Sequence, residues 1–252
     1  MTPYRLPARN RTVVILGLTL IAAISWIYFW RLARDPLAMC MVNMNPWSRA
    51  DLIALFAMWV AMMVAMMIPS ASPMILAFAG VYRSRREKSL PYVPTSAFVL
   101  GYVAVWGGFS ALATVAQEAL HSAALVSSMG TSVSGMLGGT LLASAGVFQW
   151  TPLKNACLRR CRSPLGFLLT EWREGAWGAL QMGLRHGAYC VGCCWLLMGL
   201  LFVVGVMNLW WVATIAAFVL IEKVTAAGPW VARATGLLLV LWGGWMLARL
   251  FV

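Results

Sequence analysis

The sequence predicts an all-α fold: a polytopic integral membrane bundle of six or seven transmembrane helices forming a single domain over 1–252. Three observations lead there. The 252 residues are 62% hydrophobic and only 10% charged, whereas soluble domains carry about 25% charge. Seven stretches, at 13–30, 50–68, 96–118, 134–150, 188–206, 208–226 and 230–250, are apolar enough to cross a bilayer. Threaded through those spans with the N-terminus inside, the 19 Lys and Arg all fall on the inner side except Arg31, Arg34, Arg49 and Arg249. That positive-inside bias favours a multi-pass chain with its N-terminus inside, in the cytoplasm, and its C-terminus outside. The net charge of +12 therefore reflects topology and anionic lipid, and no nucleic-acid partner is expected.

The first stretch follows Arg5, Arg9 and Arg11 as a signal peptide would. No small-x-small cleavage site comes after it, so an uncleaved span is expected. The outer loop that follows holds Met39, Cys40, Met41 and Met44. Soft thioethers suit Cu(I), but the same residues could fold back as apolar filler.

The second span carries Met58-Trp59-Val-Ala-Met62-Met63-Val-Ala-Met66-Met67-Ile68-Pro69. Met58, Met62 and Met66 share one i, i+4 ridge, with Met63 and Met67 beside it. Packing alone explains many Met stripes. Here the density also suits a soft-metal ligand set, with Met62, Met63 and Met66 as candidates. Pro69 and Pro73 are expected to break or kink the helix just past this ladder, which the threading puts in the inner half of the span.

A basic loop, Arg83 to Lys88, anchors the inner side. The third span offers Gly101, Gly107 and Gly108 for close helix packing and ends near Glu118 and His121, a pair read as a surface hydrogen bond or an outer metal site. A Ser-rich outer connection leads to the fourth stretch. That one is short and Gly-rich, so a re-entrant segment competes with a full span.

The inner connection contains Cys157-Leu-Arg159-Arg160-Cys161-Arg162. On a helix these two thiols share a face and could bind one metal, or simply be buried. Nearby cations are expected to lower their pKa.

The next segment is chemically the densest. From Met182 to Trp195 it places Met182, His186, Cys190, Cys193 and Cys194 within an arc of about 120° on a helix. A single Cys on such a face would read as core filler. Three Cys and one of the two His of the chain read as a metal or redox site. Beyond it, the stretch from Leu209 has about 13 apolar residues before Glu222 and Lys223, fewer than the roughly 20 needed to cross. Glu222 is therefore an intramembrane candidate; the alternative is a Glu222–Lys223 pair reaching the surface. The last stretch starts after Gly228-Pro229.

Three segments together are similar to a bacterial family of predicted metal-binding integral membrane proteins of uncharacterised function, some labelled copper chaperones. They are Trp59 to Pro69; Gln149-Trp-Thr-Pro-Leu-Lys154-x-x-Cys157-x-x-x-Cys161-Arg-Ser-Pro164; and Gly183-x-x-x-Gly187-x-x-Cys190-x-Gly192-Cys193-Cys194-Trp195 running through Met207-Asn208 to Glu222-Lys223. The similarity spans about 50–230 and implies membrane metal binding, with copper as the metal.

The expected function is copper handling, meaning capture, passage or delivery to a copper enzyme. Cu(I) is the expected metal, held by Cys190, Cys193, Cys194, His186, Cys157, Cys161, Met62, Met63, Met66 and Glu222. Zinc is the alternative, since three thiolates and an imidazole make a common tetrahedral set. Two other readings stay open: a structural metal-binding subunit of a larger membrane complex, and a membrane thiol oxidoreductase. The oxidoreductase sits poorly with a topology that puts every Cys but Cys40 inside. No nucleophile–base pairing, phosphate loop or nucleotide fingerprint argues for an enzyme. The bilayer is the expected partner, with a copper enzyme or other membrane subunits as further ones.

Overall fold

The computed structural model describes residues 8–34, 47–85, 92–127 and 134–250. The Met39–Met44 loop and Cys40 lie outside them. Among the described residues the chain is helical, with no strand: α1 Ala8–Leu32, α2 Arg49–Arg85, α3 Tyr92–Ser122, α4 Gly135–Phe148, α5 Pro152–Arg162, α6 Pro164–Glu171, α7 Gly175–Gly199, α8 Leu201–Val204, α9 Leu209–Val224 and α10 Gly228–Ala248. Among the described residues five helical segments are long and apolar enough to cross a membrane: α1, α2, α3, α7 together with α8, and α10. The other two apolar helices, α4 and α9, have 14 and 16 residues.

Those two short helices shape the centre of the molecule. A 14-residue α-helix rises about 21 Å, well under the roughly 30 Å of a hydrocarbon core. The chain therefore turns back early, and α5 begins where a full span would still be running. Thr151, in extended backbone, accepts the Lys154 amide at 3.3 Å, and Pro152 fills the first helical turn. The inner connection is thus no loop. It is two helices, and α5 packs against α7.

The second span differs from expectation in length. α2 has 37 residues and runs unbroken through Pro69 and Pro73. Pro73 has no amide hydrogen to give the Pro69 carbonyl, and the Ser72 hydroxyl donates to that carbonyl instead, at 2.8 Å. Substitution of a freed backbone bond by a neighbouring hydroxyl is what lets proline persist in a membrane helix. The Met ladder consequently occupies the first half of a long helix, away from its basic end at Arg83 and Arg85.

Close approach locks α3 to α7. A Cβ on Gly101 would collide with the Leu180 carbonyl, and one on Gly183 with the Phe98 carbonyl, the small-residue contact seen between membrane helices. Gly107 and Gly108 have open space around them and take no part. At the far end of α8 the backbone reverses at Gly205, where φ is +93°, a region glycine enters at little cost.

Basic residues gather at one end of the bundle. Arg85 stacks on Trp172, Arg185 pairs with Glu171, and Arg162 donates to the carbonyls of Glu222 (2.5 Å) and Thr225 (2.8 Å) at the end of α9. At the opposite end Trp59 packs on Phe202 and donates to Gln117 at 2.8 Å. His121 there stacks on Trp47 and bonds the Val126 carbonyl at 3.3 Å, with neither contact involving Glu118.

Candidate metal centre

The helical spacing along α7 turns one face into the bundle, and Met182, His186, Cys190, Cys193, Cys194 and Met198 are all buried there. In an apolar surrounding a thiol hydrogen seeks the nearest carbonyl, as Ser and Thr hydroxyls do on helices. Cys193 and Cys194 both donate to the Cys190 carbonyl, at 3.1 and 2.9 Å. This fixes two sulfurs one turn above the third.

Cys190 is the hub. Its sulfur receives the Lys223 ammonium at 2.9 Å and shares a hydrogen bond with the Tyr102 hydroxyl at 3.0 Å. From α5, Cys161 lies close enough to Cys190 and Cys193 to interact with both thiols. Cys157 lies against Gly192, where a Cβ would come within 2.9 Å of its sulfur. Five free thiols from two helices therefore converge, graded from partly exposed Cys157 and Cys161 to fully buried Cys190, Cys193 and Cys194.

The expectation of lowered pKa values at Cys157 and Cys161 is overturned. The Cys161 thiol is held well above its ordinary value, chiefly by its hydrogen bonds to Cys190 and Cys193 and then by burial. Burial, followed by the neighbouring Cys193, pushes the Cys157 thiol up. The cations of α5 point elsewhere. Arg159 bonds the Asn155 carbonyl, Arg160 the Thr170 hydroxyl, and Arg162 the end of α9. Without their field near the sulfurs, desolvation favours the neutral thiol.

The Met ladder is tied to this cluster through residues of α3 and α9. Met58, Met62, Met63, Met66 and Met67 are all at most 1% exposed. Tyr102 ties the two halves together, since its hydroxyl donates to the Met67 carbonyl at 3.2 Å and also meets Cys190. Lys223 makes a second tie, with its ammonium 3.2 Å from the Ser70 hydroxyl. The link between α2 and the thiols therefore runs through Tyr102 of α3 and Lys223 of α9, at Met67 and Ser70 near the middle of α2 rather than at its basic end.

His186 sits one turn from Cys190, among the rings of Phe98, Tyr102 and Phe167. Its Nδ1 is buried without a hydrogen-bond partner. Such an orphan is rare enough to require a reason, and a lone pair awaiting a ligand is one. Glu222 does not join the thiols. It pairs with Lys154 at 2.6 Å, and Lys154 also donates to Gln149. Among the described residues no three His, Cys, Asp or Glu side chains are set around one point as a metal would need; the thiols are engaged with carbonyls, with one another, Tyr102 and Lys223.

Sequence reasoning missed Tyr102 and Ser70 and gave Lys223 no role of its own. The available signals were weak: a hydroxyl beside a packing glycine, and a lysine inside a short apolar stretch.

A family model described as PpoB2, copper chaperone, matches residues 56–246, well over half of the chain. No curated protein and no solved structure matches.

Proposed function

Because the chain belongs to this copper chaperone family, we propose that it is a membrane copper-handling protein that holds Cu(I) as cargo on the thiols around Cys190. One observation carries the reading. Thiols of α5 and α7 gather around Cys190, and Tyr102 links that sulfur to the backbone carbonyl of Met67, within the buried Met ladder. Thiolates and thioethers are the soft donors that select Cu(I) over harder ions. Cys190, Cys193, Cys194 and Cys161 form the holding site, with His186 Nδ1 as a reserve donor. The neutral thioethers of Met62, Met63 and Met66 bind more weakly and serve as the path to or from it. Glu222 is a frame residue rather than a ligand.

The chain lies in the bacterial inner membrane with its N-terminus in the cytoplasm, a placement supported by the basic end of the bundle. The partly exposed thiols on α5 then face the cytoplasmic side, where a copper enzyme or carrier can exchange with them.

The test is metal content after anaerobic purification. About one Cu(I) per chain is expected for one such soft site, and it is lost in the C190S/C193S/C194S variant. Stoichiometric zinc without copper uptake overturns the reading. A metal-free protein with a disulfide among these thiols points to an oxidoreductase instead.

A further inference from the structure

Lys223 is buried, 7% exposed, in the apolar centre of the bundle. A buried ammonium requires a counter-charge. Its sequence neighbour Glu222 does not supply one: that carboxylate pairs with Lys154 at 2.6 Å, which neutralises it. Among the described residues no carboxylate pairs with Lys223. Its contacts are the Cys190 sulfur at 2.9 Å and the Ser70 hydroxyl at 3.2 Å. The ammonium is therefore bound to the sulfur cluster itself, and the hydroxyl on α2 fixes where it points.

We propose that Lys223 is the built-in counter-charge of the copper site, selecting a monovalent ion held by two thiolates. The inference rests on the copper reading above. A Cu(I) ion between two thiolates carries one net negative charge, which is costly to leave unbalanced away from water. With the ammonium beside it the assembly is neutral. The second thiolate comes from Cys161, Cys193 or Cys194, whose proton passes to solvent as the metal binds. A divalent ion on the same two thiolates would leave an uncompensated positive charge next to Lys223. The same residue thus stabilises Cu(I) and opposes Zn(II).

The test compares the wild type with K223M, K223R and S70A, all purified anaerobically in detergent. Cu(I) affinity is read by competition with a chromophoric Cu(I) chelator. Removing one member of a buried charge pair predicts that K223M binds at least about a hundredfold more weakly. K223R, which keeps the charge, restores most of that loss, and S70A weakens binding several-fold. Should K223M fail to fold, the wild type alone decides: Ag(I), a soft monovalent ion, displaces the bound copper and excess Zn(II) does not. Undiminished or tighter Cu(I) binding by K223M overturns the counter-charge while leaving the copper reading intact, and displacement by Zn(II) does the same. A wild type that takes up no Cu(I) overturns both.

Discussion

Lys154 and Glu222 meet at 2.6 Å with side chains 1% and 0% exposed, joining the first turn of α5 to the end of α9. The carboxylate has no hydrogen bond beyond this ionic contact. Arg162, eight residues on, clamps the carbonyls of Glu222 and Thr225. Both ends of the helix that carries Cys157 and Cys161 are thus pinned to α9, and this holds their thiols against α7.

Breaking the pair from one side leaves a buried charge uncompensated. E222Q and K154M are each expected to destabilise the fold by about 3–5 kcal/mol, read as a lower melting temperature in detergent. The double variant K154M/E222M should recover much of the loss. Equal stability of E222Q and the wild type would show that the pair is not structural.

The ladder has a separate signature. M62L/M66L nearly keeps volume and apolarity, so melting should change by less than about 1.5 kcal/mol. Copper transfer to an acceptor chelator should slow several-fold because thioether donors are gone. Parental transfer rates would reduce the ladder to core packing.

The glycine crossing offers a paired experiment. G183A pushes a methyl group into the Phe98 backbone and should cost about 1–3 kcal/mol by overpacking. G107A meets nothing within 4 Å and should be neutral or stabilise by up to about 1 kcal/mol through helix propensity. Equal effects would mean that α3 and α7 do not cross at Gly183.

Orientation is testable at Cys157, which is partly exposed. An impermeant thiol reagent should leave it unlabelled in intact cells and label it in inverted membranes, as a cytoplasmic basic end requires. Labelling from outside would invert the topology.

Much of this was legible in the sequence because it depends on periodicity. The i, i+4 spacing around Cys190 and along Met58 to Met66 fixes which residues share a face, and the buried faces of α7 and α2 follow it. Lengths were less legible. A hydropathy reading stops at Pro69, whereas α2 continues through both prolines, with Ser72 supplying the donor lost at Pro73. Partners across the bundle were not legible at all. Nothing local in Glu222-Lys223 says that one side chain turns to Lys154 and the other to Cys190; that follows from the early return of the short α4. The direction of the Cys157 and Cys161 pKa shifts failed for the same reason, since nearby arginines in sequence point away in space.

The most direct measurement is copper K-edge X-ray absorption on the anaerobically loaded chain, compared with C190S. The account predicts Cu(I) with a sulfur-dominated coordination shell in the wild type, and loss of that sulfur signal with the bound copper in C190S. A shell of nitrogen and oxygen alone, or an unchanged spectrum and copper content in C190S, would contradict it.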